Sequence, residues 1–256
     1  MLRCSLVVVC FCSLNACQKE LIPENSGGGN MPIQIQFSGL AGSDSLIYGN
    51  QYFNSYNEPY SVSAFKFYIH GIELFNSFTG IRSPFDQDAY HLIDIADPAT
   101  NLIQGIASDN TYNGLSLIIG VDSILNVSGA QSGALDPLNG MFWTWNSGYI
   151  MAKLEGNTPL ANTPNNAFQY HIGGFSGDNN VVKRVEIFFP NNEFFKPAFF
   201  NEATIVISAD VHEWFSGQSE IRLSQDPVCM TPGSLAKLIA ENYYEMFTIS
   251  TVIDRP

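Results

Sequence analysis

The sequence predicts an all-β fold, an antiparallel β-sandwich with long loops and one short C-terminal helix. Three observations point there. Thr, Val, Ile, Phe and Tyr are abundant, and Gly, Asn and Pro punctuate the chain at short intervals. Apolar residues alternate with period two in segment after segment, whereas helical spacing is confined to one late stretch. About eight or nine strands with a single helix fit two packed sheets. No internal repeat is visible.

The folded part is preceded by a different kind of sequence. Arg3 supplies a short positive region, and residues 6–14 form an apolar run too short to span a bilayer. Leu14-Asn15-Ala16-Cys17 reads as a lipobox, so residues 1–16 are expected to be a lipoprotein signal peptide and Cys17 to be diacylated. Two acyl chains, at about 0.8 kcal/mol per buried CH₂, make such an anchor stable. Residues 17–31, with Pro23 and Gly27-Gly28-Gly29, read as a flexible tether. Residues 32–256 then form one domain, long enough to bury a substantial core. The expected location is the cell envelope, lipid-anchored, at the outer membrane on its periplasmic or surface face.

The strands follow in order. Residues 32–37 alternate with Ile33, Ile35 and Phe37 on one side. Residues 63–75 place Phe65, Phe67, Ile69 and Gly71 on one side of a longer strand. Residues 90–95 are short and mixed. Residues 114–121 are nearly all apolar and read as buried on both faces. Further strands are expected at residues 149–154, 167–172, 181–189 and 203–209. Leu235, Leu238, Ile239, Asn242 and Met246 approximate 3.6 spacing over residues 234–247, and Ser234 is a natural N-cap after Thr231-Pro232-Gly233. Residues 247–252 return to strand. Of the two conspicuous loops, 157–166 is rich in Pro and Asn. The other, 122–142, is long, but it carries no strong signature of disorder and is expected to be ordered.

Charge and cysteine content exclude several functions. Cleavage before Cys17 leaves 10 basic against 24 acidic side chains, a net charge of −14. Nucleic acid is not an expected partner, because phosphate binding needs a basic face. Cys229 is the one thiol left in the folded part, so no intramolecular disulfide forms there. That thiol is either buried and inert or a soft metal ligand. No nucleophile elbow, zinc-protease helix, phosphate loop, dinucleotide fingerprint or calcium loop of EF-hand spacing is present, and the chain is not expected to be an enzyme.

The most distinctive run is Gly140-Met141-Phe142-Trp143-Thr144-Trp145-Asn146-Ser147-Gly148-Tyr149. If extended, it projects Trp143 and Trp145 from one face. Such a pair either fills the core and holds the long loop down, or makes a site. The four histidines, His70, His91, His171 and His212, sit in strand-like runs or at strand ends. Each could be a hydrogen-bonded structural residue, and a metal site would have to be assembled from remote strands. Imidazole with Met141, Met151 or Cys229-Met230 nearby would favour copper or zinc over magnesium or calcium.

Several segments together resemble the MbnP-like copper-binding family. They are Phe65-Lys66-Phe67-Tyr68-Ile69 with Ile72-Glu73-Leu74, Tyr90-His91-Leu92-Ile93-Asp94, and Ile119-Gly120-Val121-Asp122-Ser123. The longest runs from Ser128-Gly129-Ala130-Gln131 through Leu135-Asp136-Pro137 and the tryptophan segment to Lys153-Leu154-Glu155-Gly156, and Phe168-Gln169-Tyr170-His171-Ile172-Gly173-Gly174 follows. The resemblance implies an exported protein that binds copper. It also implies a MauG-like dihaem peroxidase partner that oxidises a tryptophan to kynurenine, whose amine joins histidines in holding copper(I). Carried over, Trp143 or Trp145 is the candidate for oxidation, His91 and His171 are the primary ligand candidates, and His70 and His212 are secondary. The alternative is a surface lipoprotein that binds glycan or protein through Trp143, Trp145 and Tyr149 as an aromatic platform.

Overall fold

The computed structural model describes residues 29–86, 89–144, 147–198 and 202–255. The expected signal peptide, Cys17, most of the expected tether and Trp145 lie outside the described residues. In chain order the first strands are β1 (Asn30–Ala41), β2 (Asp44–Ser45), β3 (Tyr52–Phe53), β4 (Pro59–Asn76), β5 (Ile81–Pro84), β6 (His91–Asp94), β7 (Leu102–Ser108) and β8 (Gly114–Ile119). Helix α1 (Ser123–Val127) precedes β9 (Phe142–Thr144), β10 (Gly148–Tyr149), β11 (Ala152–Asn157), β12 (Ala167–Ile172), β13 (Lys183–Phe188), β14 (Glu202–Asp210) and β15 (Val228–Cys229). Helix α2 (Ser234–Tyr243) and β16 (Phe247–Arg255) close the chain.

Two sheets face each other, as the alternation requires. The smaller runs β16-β14-β1-β2 with β7 also on β1. The larger runs β13-β8-β4-β11-β12-β15, with β3, β5 and β6 paired to β4. Met31, Ile33, Ile35 and Phe37 of β1 all point inward. Phe37 meets Phe67 across the core edge-on at 5.9 Å, and Phe67 meets Phe247 at 5.3 Å. Burying each such ring contributes about 2–3 kcal/mol.

The structure departs from the expected elements in several respects. Two pairs are parallel, β1 with β14 and β12 with β15, so the sandwich is mainly rather than wholly antiparallel. β1 begins at Asn30, two residues inside the expected tether. Ser234 is the first helical residue of α2 and Gly233 occupies the cap position without a side-chain bond, so Ser234 is not the N-cap. Finally, Gly71 does not continue the inward row of β4. It adopts φ +56°, and the pairing with β8 shifts between His70 and Glu73. This bulge turns Ile72 and Leu74 inward in place of Gly71.

The long excursion after β8 is ordered, as expected. Asp136 caps a short 3-10 turn through Leu138 N–H (2.9 Å), and Gly140 ends that turn in the left-handed region. Buried Asn126 donates to Val121 and Asp122 carbonyls and accepts from Tyr149 N–H at 2.8 Å. The Tyr149 hydroxyl donates to Leu135 O at 2.7 Å. These bonds press the excursion onto the larger sheet, on the face turned away from the smaller one.

Candidate metal centre

Register decides which candidate residues share a face. In β4 the core-facing row is Phe65, Phe67 and Ile69, and the outer row is Lys66, Tyr68 and His70. Lys66 lies opposite Lys153 of β11, and Lys153 lies opposite His171 of β12. His171 therefore stands on the outer face, beneath the excursion. Its Nε2 donates to Glu155 Oε1 at 2.5 Å, and its Nδ1 is buried without a hydrogen-bond partner. The His171 bond is the chief reason the Glu155 carboxyl is held below its ordinary value; burial opposes it.

Trp143 packs two residues along from this imidazole, on Gly173. A Cβ on Gly173 would lie 2.5 Å from Trp143 Cζ3 and 2.9 Å from Cη2, so the benzo edge of the indole rests on the Gly173 backbone. Positions 171 and 173 fall on the same face, about 7 Å apart. Only glycine leaves room for the ring. Trp143 Nε1 is also buried without a partner. The loop before Trp143 is tied down by Lys153, whose Nζ donates to Gly140 O at 2.7 Å; burial lowers the pKa of this ammonium. Lys66 in the same row pairs with Asp94 at 2.7 Å.

His91 does not join this group. It lies opposite Ile69, and Ile93 lies opposite Phe67, so His91 is on the core-facing side of the sheet. Three strand spacings and three residues of register separate it from His171, about 17 Å between Cα atoms. Its Nε2 pairs with Asp86, and it borders a cleft lined by Leu102, Ile103, Gly133 and Asn139. The expected convergence of His91 and His171 beside the indoles is thus corrected by the register. His70, ranked second on sequence, shares the outer face with His171 instead. Its ring stacks on Tyr90 at 4.4 Å, and its Nε2 is 3.8 Å from Asp122 Oδ1. Two strands and four residues still separate it from His171, about 16 Å.

His212 is elsewhere. It follows β14 in a 3-10 turn, packs under Gly42 and faces Tyr60 at 6.1 Å. Tyr60 is eight residues back along β4 from Tyr68, the level at which Gly173 and Trp143 lie, or about 26 Å. Cys229 is buried, and burial pushes its thiol up to about 11, the inert alternative for that residue. Tyr149 is fully buried and cannot serve in an exposed aromatic platform. Among the described residues, no three His, Cys, Asp or Glu side chains cluster as a metal site.

Sequence reasoning missed Glu155, Lys153 and Gly173 as site residues. Lys153 and Glu155 are two apart and so share a face, but which strand they meet is a tertiary fact.

A family model described as MbnP matches residues 30–231. Among solved structures, MbnP from Methylosinus trichosporium is similar to this chain, with a TM-score of 0.52 and 16% identity over 88% of this chain and 99% of that one. That likeness is one of fold. No curated protein matches.

Proposed function

Because this chain belongs to the MbnP family, we propose that it is an exported, lipid-anchored copper-binding protein acting in copper homeostasis, holding or delivering the metal without catalysis. The supporting observation is that two residues with a buried, unpartnered nitrogen, His171 at Nδ1 and Trp143 at Nε1, fall on one outer-face patch, Trp143 packing on Gly173 two residues along from His171. A carboxylate on one imidazole nitrogen, leaving the other as donor, is the usual outer-shell arrangement of a metal-bound histidine. The residues therefore fit one end of a soft, low-coordinate site.

Copper(I), when bound, supplies a soft cation suited to imidazole and amine donors. An indole nitrogen is a poor σ-donor. Opening the indole C2–C3 bond adds two oxygen atoms, and hydrolysis then releases C2 as formate and frees an aryl amine. A MauG-like dihaem peroxidase using peroxide is the class of partner that would supply this oxidation. Of the two candidates, Trp143 is favoured, since the nitrogen that would become the amine is already buried without a partner and its ring packs on Gly173, two residues along from His171. Glu155 orients the imidazole, Lys153 holds the loop, and Gly173 admits the ring.

The test is chelator competition for copper(I) with protein from its native host. His171→Ala and Trp143→Phe are expected to lose binding, and His91→Ala to keep it. Unchanged affinity in His171→Ala would reject the assignment. Mass spectrometry of the peptide carrying Trp143 and Trp145 should show a gain of about 4 Da, one carbon exchanged for one oxygen.

A further inference from the structure

The end of the sandwich at which the chain enters carries an unusual surface. Phe78, in the turn between β4 and β5, is 80% exposed; Phe194 is 55% and Phe188 52% exposed. Phe78 and Phe194 lie against each other with ring centroids 6.0 Å apart. Phe188, at the last position of β13, packs edge-on against Phe75 at 5.3 Å, three residues before Phe78. Water-exposed rings gathered at one pole cost solubility unless something covers them.

This pole is also where β1 begins. Asn30 lies opposite Ser108 at the end of β7, Ser108 bonds Ser83 of β5, and Asn76 Nδ2 donates to Thr111 O just beyond β7. The start of β1 and the Phe78 turn are therefore neighbours. Lys196, ion-paired with Asp109 at 3.1 Å, stands at the rim of the patch.

We propose that this aromatic pole is a membrane-contacting surface: Phe78 and Phe194, with Phe188 beside them, rest in the headgroup region of the bilayer that holds the Cys17 anchor. The inference rests on the lipoprotein reading of Cys17 given above. The length of the tether selects the occupant. Twelve residues lie between Cys17 and Asn30, a reach of at most about 45 Å fully extended. The opposite pole, marked by Phe53 paired to Pro59, is the whole eighteen-residue β4 away, about 55 Å. An anchored chain thus keeps the Phe78 pole within reach of the membrane and the Phe53 pole out of it. Aromatic rings favour the bilayer interface. The net charge of −14 left after cleavage before Cys17 disfavours anionic lipid, so the surface that fits is zwitterionic phospholipid.

The experiment uses the full acylated chain reconstituted in phosphatidylethanolamine–phosphatidylcholine vesicles, with and without brominated acyl chains. Phe78→Trp and Phe194→Trp are read by indole fluorescence against the parent protein, with Phe53→Trp as the control at the far pole. The expected result is a blue-shifted signal quenched by brominated lipid for the first two and neither effect for the control. An acylated chain whose position-78 and position-194 indoles escape quenching would overturn the inference alone. Intact mass showing no acyl chains on Cys17 would overturn the anchoring reading and this inference with it. Since all three side chains are exposed, circular dichroism identical to the parent is expected.

Discussion

Glu58 offers the sharpest test of how the fold is held. It is 4% exposed and stands immediately before Pro59 at the start of β4. Its carboxylate accepts from Asn54 Nδ2 (2.9 Å), Leu223 N–H (2.8 Å), Ser224 N–H (3.2 Å) and Ser224 Oγ (2.5 Å), clamping a segment 165 residues away. Burial alone would raise its pKa, but the bonds from Ser224, Asn54 and Leu223 together outweigh burial and hold it below the ordinary value. Glu58→Gln keeps one acceptor oxygen and turns an NH₂ toward donors, losing at least two of the four bonds. At about 1.5–2 kcal/mol for each charge-assisted bond, the loss is roughly 3–4 kcal/mol. For a domain of this size that is a fall in Tm of about 10 °C. The pH dependence follows from the sign of the shift. A depressed folded-state pKa stabilises above the unfolded value of about 4.3, and that stability is lost as pH falls through the folded value. The gap between parent and variant should therefore be full at neutral pH and shrink below about pH 4. Differential scanning calorimetry from pH 3 to 7 measures both. A gap under about 2 °C, or one equally large at pH 3, would refute the reasoning.

Three further outcomes are expected. Glu155→Gln should weaken copper(I) binding about 10- to 100-fold in chelator competition, because the amide no longer fixes the proton on His171 Nε2; full affinity would show that Glu155 does not orient the imidazole. Gly173→Ala should push the Trp143 ring aside, red-shifting its fluorescence and costing about 1–3 kcal/mol in denaturant melts, and an unaltered spectrum and midpoint would place the ring elsewhere. Cys229 should resist Ellman's reagent in the native protein at pH 8 and react on unfolding, since its thiol is buried and titrates near 11; rapid native labelling would contradict that burial.

The alternation of Ile33, Ile35 and Phe37, and of Phe65, Phe67 and Ile69, was legible because strand periodicity is a local property that side-chain burial enforces residue by residue. Ala167–Ile172 was readable to its boundaries for the same reason. Leu102–Ser108 was not. Its exposed Leu102, Gln104 and Ile106 blur the pattern, and it is a strand because β1 offers it an edge. The parallel pairing of β1 with β14, some 170 residues apart, likewise has no local cause.

The candidate site divides along the same line. Residue types were visible in the chain: histidines in strand-like runs and two tryptophans in a run fenced by glycines. Which of them meet was not. His70 and His91 look alike in sequence, yet one is on the outer row of β4 and the other lies opposite inward-facing Ile69. A side chain's face follows from its register with a partner strand, and shifting register by one residue reverses it. Local sequence thus determined what each segment could become. The long-range pairings chose which imidazole shares the outer face with Trp143, and where the glycine that admits its ring would lie.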